Sequence, residues 1–174
     1  MRIIGGNFKG KKLFEPIDRE TRPLKDLTKE SIFNIINHSN KFSVKVKQAQ
    51  VLDLFSGVGS FGIECLSQGA EHITFIEKYN KVLTVLKKNL KSLKTINNYE
   101  IIEKDIFNNF YFKKFEKKFD IIFLDPPYKE KALDKILSSI IENKILKKNG
   151  IIIIHRHKKE IKRFQESFQI VEKK

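Results

Sequence analysis

The segment with the most chemical information is Asp125-Pro126-Pro127-Tyr128, which directly follows the apolar run FDIIFL. Consecutive prolines make the chain stiff and remove backbone N–H donors. What remains is a carboxylate, main-chain carbonyls and an aromatic ring. Asp125 and the Pro126 carbonyl could together accept from an –NH2 group while a planar base lies against Tyr128. A purely structural turn would need neither the Asp nor the Tyr. The segment therefore predicts chemistry at an exocyclic amine of a base, with no metal and no covalent intermediate.

A glycine-bearing segment, DLFSGVGSFG, supplies the second chemical signal. Its glycines match G-x-G-x-x-G between a predicted strand and a predicted helix. Gly57 and Gly59 allow the backbone to approach a ligand closely, and Phe55 is expected beside it. Glu77 ends the next predicted strand, twenty positions after Gly57. A carboxylate at that place can accept both ribose hydroxyls of a nucleotide, and we expect the neighbouring Lys78 to line the same site.

The glycine pattern alone does not separate a nicotinamide dinucleotide from S-adenosylmethionine (SAM). Asp53 lies four residues before Gly57, inside the predicted strand, where a buried carboxylate is costly unless it meets a cation or strong donors. The ammonium of SAM would satisfy Asp53, whereas a pyrophosphate would be repelled. Asp105 follows a third predicted strand and could accept from an adenine amine, although a turn or helix cap is the plain alternative. These carboxylates predict SAM as the cofactor.

The elements that must position these residues alternate along the chain. Continuous apolar runs predict strands at 51–55, 72–77, 99–105, 119–125 and 150–155. Helical spacing predicts helices after each glycine-bearing or polar turn, including one through Val82, Leu83, Leu86, Leu90 and Leu93, one over 131–146 and one over 157–168. The segment 107–116 is expected to be a short helix or loop, and FQIVEKK a sixth strand. The pattern is that of an α/β protein with a doubly wound, mostly parallel sheet, whose ligands bind at the carboxyl ends of the strands.

The first 45 residues differ from the rest, and we expect them to form a basic extension (1–45) on a cofactor-binding domain (46–174). RIIGGNFKGKKL predicts a short hairpin, and Asp26 is expected to cap a helix carrying Ile32, Phe33, Ile35 and Ile36. The formal net charge is +14, which favours a polyanionic partner such as nucleic acid. The residues expected to contact RNA phosphates are Arg2, Lys9, Lys11, Lys12 and Arg22.

The remaining composition narrows the class of protein. Cys65 is the single cysteine, so no intrachain disulfide can form, and no apolar run is long enough to span a bilayer. We therefore expect a cytoplasmic protein, with a monomer as the default. His155 and His157 follow the fifth predicted strand near the ligand edge, but without a cysteine or a third ligand at suitable spacing they do not predict a metal site.

Taken together, DLFSGVG, Glu77 and DPPY resemble the Rossmann-like class I SAM-dependent methyltransferases of amino groups. The opening RIIGGNFKGKKL, Arg22-Pro23 and FSGVGSFGIECLSQGA resemble the RsmD family of small-subunit ribosomal RNA guanine-N2 methyltransferases. The resemblance implies SAM as donor, guanine N2 as acceptor and 16S rRNA or an assembling small ribosomal subunit as substrate. It implies a methionine end near Asp53 and Gly57, and an adenine near Asp105 and Ile106. The family's pattern continues beyond FQIVEKK into one more strand, so either an incomplete sheet edge or a truncated sequence is expected.

Other functions remain open on the residues alone. DPPY suits an adenine-N6 methyltransferase on DNA or RNA equally well, although no dedicated DNA-recognition domain is recognisable. The glycine pattern would also permit an NAD(P)-dependent oxidoreductase, which would leave DPPY unexplained. An RNA-binding assembly factor without activity would have no need of Asp125 or the glycine loop.

Overall fold

The computed structural model describes residues 1–16, 24–107, 112, 115–116, 118–127, 133–156 and 168–171. Two residues expected in the site or the RNA-binding surface, Arg22 and Tyr128, lie outside the described residues. So do most of the 107–116 segment and nearly all of the helix expected over 157–168.

Strands and helices alternate from residue 50 onward. Ahead of them stand a 3-10 turn (Gly6–Phe8) and α1 (Asp26–His38). The described elements that follow are β1 (Gln50–Leu54), α2 (Ser60–Ser67), β2 (His72–Glu77), α3 (Asn80–Ser92), β3 (Tyr99–Glu103), β4 (Phe119–Leu124), α4 (Leu133–Glu142) and β5 (Leu146–Ile154).

The five described strands form one sheet in the order β3-β2-β1-β4-β5, with all neighbours parallel. The expected parallel sheet is thereby confirmed. Chain order reverses between β1 and β4, so the loops that follow these two strands diverge and leave a crevice between them. Asp53 lies near the end of β1 and the glycine segment follows that strand, whereas the Asp125 segment follows β4.

Alternate residues of the central strands face opposite sides of the sheet, as the strand period requires. Val51 packs into a core with α1, α2 and α3, whereas Leu52 packs into a second core with α4. Both side chains are fully buried. Among the described residues, no helix is long and apolar enough to cross a membrane.

Several boundaries differ from the sequence prediction. β3 ends at Glu103 rather than at 105, and α4 ends at Glu142 rather than at 146. β5 begins at Leu146, four residues before the expected position, because Phe119 already pairs with Leu146 across an irregularity in the register. The prediction was made from continuous apolar runs, and the polar residues KKN interrupt the run at the start of this strand. The expected sixth strand was wrong for residues 168–171, which form no strand.

The N-terminal hairpin is shorter than its sequence suggests, with one antiparallel bridge between Arg2 and Lys12. Ile3 and Leu13 are buried in the same core as β1 and α2. The extension and the rest of the chain therefore share a core, and the extension is fixed in place relative to the sheet.

The capping role expected of Asp26 was wrong, because Asp26 is itself the first residue of α1 and Lys25 precedes it without a side-chain cap. Asp26 instead lies 3.4 Å from Lys29 Nζ, whose side chain is fully buried. Lys29 also lies 3.7 Å from the equally buried Glu64 of α2. Glu64 accepts hydrogen bonds from the backbone N–H groups of Ile4 at 2.8 Å and Gly5 at 2.7 Å. Removing one partner of such a buried pair costs roughly 3–5 kcal/mol, so this network holds α1 and the extension to α2.

Candidate functional site

The candidate site lies at the carboxyl edge of the sheet, where three backbone hydrogen bonds align the loops. The Ser56 N–H donates to the Ile76 carbonyl at 3.1 Å, and the Asp125 N–H lies 3.5 Å from the Leu54 carbonyl. The His155 N–H donates to the Leu124 carbonyl at 2.9 Å. These contacts bring the segments after β1, β2, β4 and β5 to one edge, as the parallel sheet predicts.

The chain turns sharply between β1 and α2. Phe55, Gly57 and Gly59 all have positive φ angles, of 62°, 56° and 82°. A Cβ atom at Gly59 would also lie 2.4 Å from Leu86 Cδ1, so the buried leucine side chain would have to shift. The turn therefore requires glycine at this position and places backbone, rather than side chains, beside the crevice.

Asp53 is the most strongly perturbed carboxylate of the site. Its side chain is 1% exposed, and its Oδ2 accepts a hydrogen bond from the Gly62 N–H at 3.0 Å. Burial raises the pKa of Asp53 to about 8; the Gly62 hydrogen bond opposes this effect, and the nearby charges of Asp125 and Glu77 add to it. Near neutral pH the group is therefore mostly protonated, unless a cation binds beside it.

Glu77 is fixed by the backbone around it. Its Oε2 accepts from the Gly57 N–H at 2.8 Å, and its Oε1 accepts from the N–H groups of Lys78 at 2.8 Å and Tyr79 at 2.9 Å. Two carboxylate oxygens offer about four acceptor sites, so the side chain keeps capacity for a further donor. The glycine loop and the end of β2 are thus joined through the residue expected to hold a ribose.

Asp105 and Lys78 form an ion pair on the far side of β2, with 2.9 Å between Lys78 Nζ and Asp105 Oδ2. The Phe107 N–H donates to Asp105 Oδ1 at 3.0 Å. Although partial burial acts to raise it, the pKa of Asp105 is lowered by hydrogen bonds from Lys78 and Phe107 and by the lysine charge. Ile106 is buried, and the Phe107 ring lies 5.5 Å from the Phe55 ring. The expected cofactor residues therefore line one continuous edge.

Asp125 lies in the crevice between β1 and β4, followed by a buried Pro126 and an exposed Pro127. Its Oδ1 lies 2.9 Å from Nδ1 of His155. The sequence places His155 near the ligand edge but does not reveal this pairing, because its partner is thirty residues away in the chain. The strand order, which sets β5 beside β4, is the signal that could have found it.

The sequence analysis also did not predict the hydrogen bonds of Asn89. Asn89 is fully buried on the apolar face of α3. Its Nδ2 donates to the carbonyls of Val58 and Phe14, each at 3.1 Å, and its Oδ1 accepts from the Phe14 N–H at 2.8 Å. Asn89 thus links the glycine loop to the N-terminal extension.

The arrangement as a whole brings carboxylates together and so suits a positively charged group rather than an anion. Asp53, Glu77 and Asp125 are close enough for the latter two charges to raise the pKa of the first. No group of three or more His, Cys, Asp or Glu side chains in the described part of the chain could hold a metal ion. The carboxylates of the site can therefore accept hydrogen bonds and stabilise a positive charge.

The basic residues of the extension differ in their surroundings. Arg2, Lys9 and Lys12 are exposed, although Arg2 Nε lies 3.8 Å from Asp26 Oδ2. The Lys11 ammonium donates to the Ser92 carbonyl at the end of α3, where a cation is favoured by the helix dipole.

Comparison with known proteins identifies the family to which this chain belongs. A family profile described as Conserved hypothetical protein 95 matches residues 1–174. YlbH of Bacillus subtilis, described as a candidate rRNA methyltransferase, is 38% identical over 162 residues, or 92% of this chain and 84% of that protein. Ribosomal RNA small subunit methyltransferase D of Buchnera aphidicola subsp. Baizongia pistaciae is 35% identical over 156 residues, or 90% of this chain and 76% of that protein.

Solved structures show the same fold. The Escherichia coli protein yhhF, described as a candidate methyltransferase, superposes with a TM-score of 0.78 at 27% identity, covering 95% of this chain and 86% of that one. SMU.776, a candidate methyltransferase solved in complex with S-adenosylhomocysteine (SAH), has a TM-score of 0.56 at 26% identity, covering 71% of this chain and 33% of that one. The fold is that of a Rossmann-like SAM-dependent methyltransferase.

The perturbed carboxylate makes stability depend on pH. Because the pKa of Asp53 rises from 3.8 to about 8 on folding, the folded state binds the proton more tightly than the unfolded state. The stabilisation that protonated Asp53 contributes is complete below about pH 4, and it is lost as the pH rises to about 8. We expect the wild-type unfolding free energy to fall across this window, relative to Asp53→Asn, with a slope of at most about 1.4 kcal/mol per pH unit.

Urea denaturation of both proteins at several pH values measures this difference. Asp134→Asn, on the exposed side of α4, serves as the surface control. Parallel pH curves for wild type and Asp53→Asn would contradict the raised pKa.

Proposed function

Because this chain belongs to the family described as Conserved hypothetical protein 95, the RsmD family, we propose that it methylates the exocyclic N2 amine of a guanine in small-subunit ribosomal RNA. The methyl donor is SAM. The observation that carries the proposal is the meeting of Asp125-Pro126 with Asp53 and the glycine loop at one crevice of the sheet. The relatives named as small-subunit rRNA methyltransferases support the class of substrate.

The described residues fit the donor. Asp53 is buried, acidic and held among other carboxylates, so it would be stabilised by the ammonium of the methionine moiety. Glu77 has its carboxylate oriented by three backbone N–H groups and would accept a ribose hydroxyl at its remaining acceptor site. Asp105 and the buried Ile106 would lie against the adenine, with Lys78 and Phe55 at its margin. Gly57 and Gly59 supply a turn without side chains beside these groups.

The chain's own residues then orient the acceptor. When bound, SAM supplies an electrophilic methyl group that is transferred by in-line displacement. Asp125 and the Pro126 carbonyl would accept hydrogen bonds from the target amine and direct its lone pair, and Pro127 would keep this segment extended. Tyr128, the next residue, would stack on the base. Because orientation of the reacting groups supplies much of the rate, no strong general base is required.

A base inside a paired helix cannot reach this crevice. Nucleobase-modifying enzymes therefore act on unpaired or flipped-out bases. We propose that the target guanine enters the crevice unpaired, with the rest of the RNA held outside it.

The proposal predicts the transfer of labelled methyl groups from SAM to small-subunit rRNA or to small subunits lacking the modification. The label should appear in N2-methylguanosine after nucleoside separation. Asp125→Ala should lower kcat by about 100-fold or more, because it removes an acceptor that orients the amine. Asp120→Ala is the matched control, since Asp120 lies at the opposite end of the strand that precedes Asp125 and pairs with Lys147.

Two other outcomes would contradict different parts of the proposal. Label in N6-methyladenine, from rRNA or from duplex DNA, would keep the site but contradict the guanine assignment. Binding of NAD(H) instead of SAM would contradict the methyltransferase function itself.

We further propose that the N-terminal extension (1–45) contacts the RNA backbone, whereas residues 46–174 carry the reaction. Support comes from the exposure of Arg2, Lys9 and Lys12 and from the contacts that fix the extension to the glycine loop and α2. Lys11 would contribute mainly through its contact with α3, and Arg22 would extend the basic surface. Phosphate contacts of this kind position RNA without reading its sequence.

Replacing Lys9 and Lys12 together by Ala should weaken RNA binding in a salt-dependent manner. Each lost phosphate contact lowers the slope of log K against log salt by roughly one, so the double variant should lose about two. Filter binding at several salt concentrations measures the slope. Lys135→Ala with Lys144→Ala, exposed residues within and just after α4, is the control; an equal loss in both double variants would contradict a specific role for the extension.

A further inference from the structure

A histidine at the end of β5 is held directly against the proposed amine-binding carboxylate. The His155 backbone N–H donates to the Leu124 carbonyl at 2.9 Å, which fixes the start of the loop after β5 beside Asp125. Its Nδ1 lies 2.9 Å from Asp125 Oδ1. The contact is therefore anchored by both backbone and side chain.

The contact restricts what Asp125 can do. A carboxylate has two equivalent oxygens and can rotate between them, and the imidazole engages Oδ1. The side chains of His155 and Asp125 are 42% and 27% exposed, so the pair is open to solvent on one side. Restricting rotation of Asp125 holds its carboxylate in one orientation, in which its remaining acceptor sites can receive an amine.

The negative charge of the Asp125 carboxylate also favours a positively charged partner in the crevice. Asp125 and Glu77 both act on buried Asp53, so the crevice gathers carboxylates that repel one another. The charged groups around His155 are Asp125 at the end of β4 and Arg156, its neighbour in the chain; Asp53 on β1 and Glu77 on β2 belong to the same edge. Within the described residues, His155 is the side chain shown in contact with the Asp125 carboxylate.

We propose that His155 is a positioning residue, which orients the Asp125 carboxylate to receive the target amine. This role rests on the proposed function, because it assigns amine binding to Asp125. His155 need not touch the base or the donor.

The titration of His155 is consistent with this pairing. The hydrogen bond to Asp125 raises the pKa of His155, partial burial opposes the effect, and the charge of Asp125 adds to it. The histidine is therefore cationic to a higher pH than usual and offsets the charge of the carboxylate.

Two substitutions test whether His155 acts by donating a hydrogen bond that orients Asp125. His155→Ala removes the donor, whereas His155→Asn places an amide N–H close to the position of Nδ1. With SAM and small-subunit rRNA, we expect the Ala variant to lose about 10-fold in kcat with KM for RNA nearly unchanged, because orientation rather than binding is impaired. The Asn variant should recover most of this loss.

The matched control is His72→Ala. His72 lies at the start of β2, on the opposite edge of the sheet, with its Nε2 3.8 Å from Glu100 Oε1. It is also a histidine beside a carboxylate, so its replacement tests the effect of losing such a pair outside the crevice. We expect its kcat to remain within about two-fold of wild type.

A second measurement does not require activity. NMR titration of the imidazole signals should show the pKa of His155 above its ordinary value in the wild-type protein and close to it in Asp125→Asn. A His155 pKa that is the same in both proteins would overturn the pairing.

The kinetic outcomes separate this role from the proposed function. If the wild type transfers methyl groups and His155→Ala retains full kcat, the positioning role is overturned and the proposed function stands. A lowered melting temperature with unchanged kcat would identify a structural contact and would likewise overturn the role. If the wild type transfers no methyl group to any rRNA acceptor, the proposed function fails, and the role of His155 with it.

Discussion

Asp53 is a carboxylate at 1% exposure on the central strand of a sheet, and water cannot compensate its charge there. One backbone N–H, from Gly62, is too little to keep it ionised, which is why burial raises its pKa to about 8. The close fit continues at Gly62, where a Cβ atom would lie 2.3 Å from the Phe75 ring. The first turn of α2 can approach Asp53 only because this residue is glycine. A cation bound beside Asp53 would stabilise its ionised form, and this is the constraint on which the proposed function rests.

The parallel sheet explains how residues so distant in sequence reach one crevice. Each strand delivers its last side chain to the same edge, and the reversal of strand order opens the gap between β1 and β4. The nucleotide-type residues lie on the β1–β2–β3 side, and Asp125 with His155 lies on the β4–β5 side. A donor and an acceptor bound in these halves would meet at the reversal point. The extension is joined to the first half through Asn89 and Glu64, so RNA held there would have a fixed position relative to the crevice.

Much of this was predictable from local patterns, and the exceptions have physical causes. The apolar runs gave β2 its observed bounds, and the glycine spacing located the turn. The start of β5 was missed because KKN is polar yet already paired. Asp26 was misread because its side chain turns toward Lys29 and Arg2 rather than toward the helix N–H groups. The pairs His155–Asp125 and Lys29–Glu64 join residues far apart in the chain. Only the strand order and the packing of helices bring them together, and neither can be read from local spacing.

The most direct test of the central claim is the number of protons released when SAM binds. Calorimetric titrations at pH 7 in buffers of different ionisation enthalpy measure this number. If the donor's ammonium meets Asp53, binding must ionise a carboxyl group whose pKa is about 8, and the wild type should release close to one proton while Asp53→Asn releases fewer. The absence of SAM binding, or the same proton count in both proteins, would contradict the assignment of Asp53 as the cation-binding residue of this site.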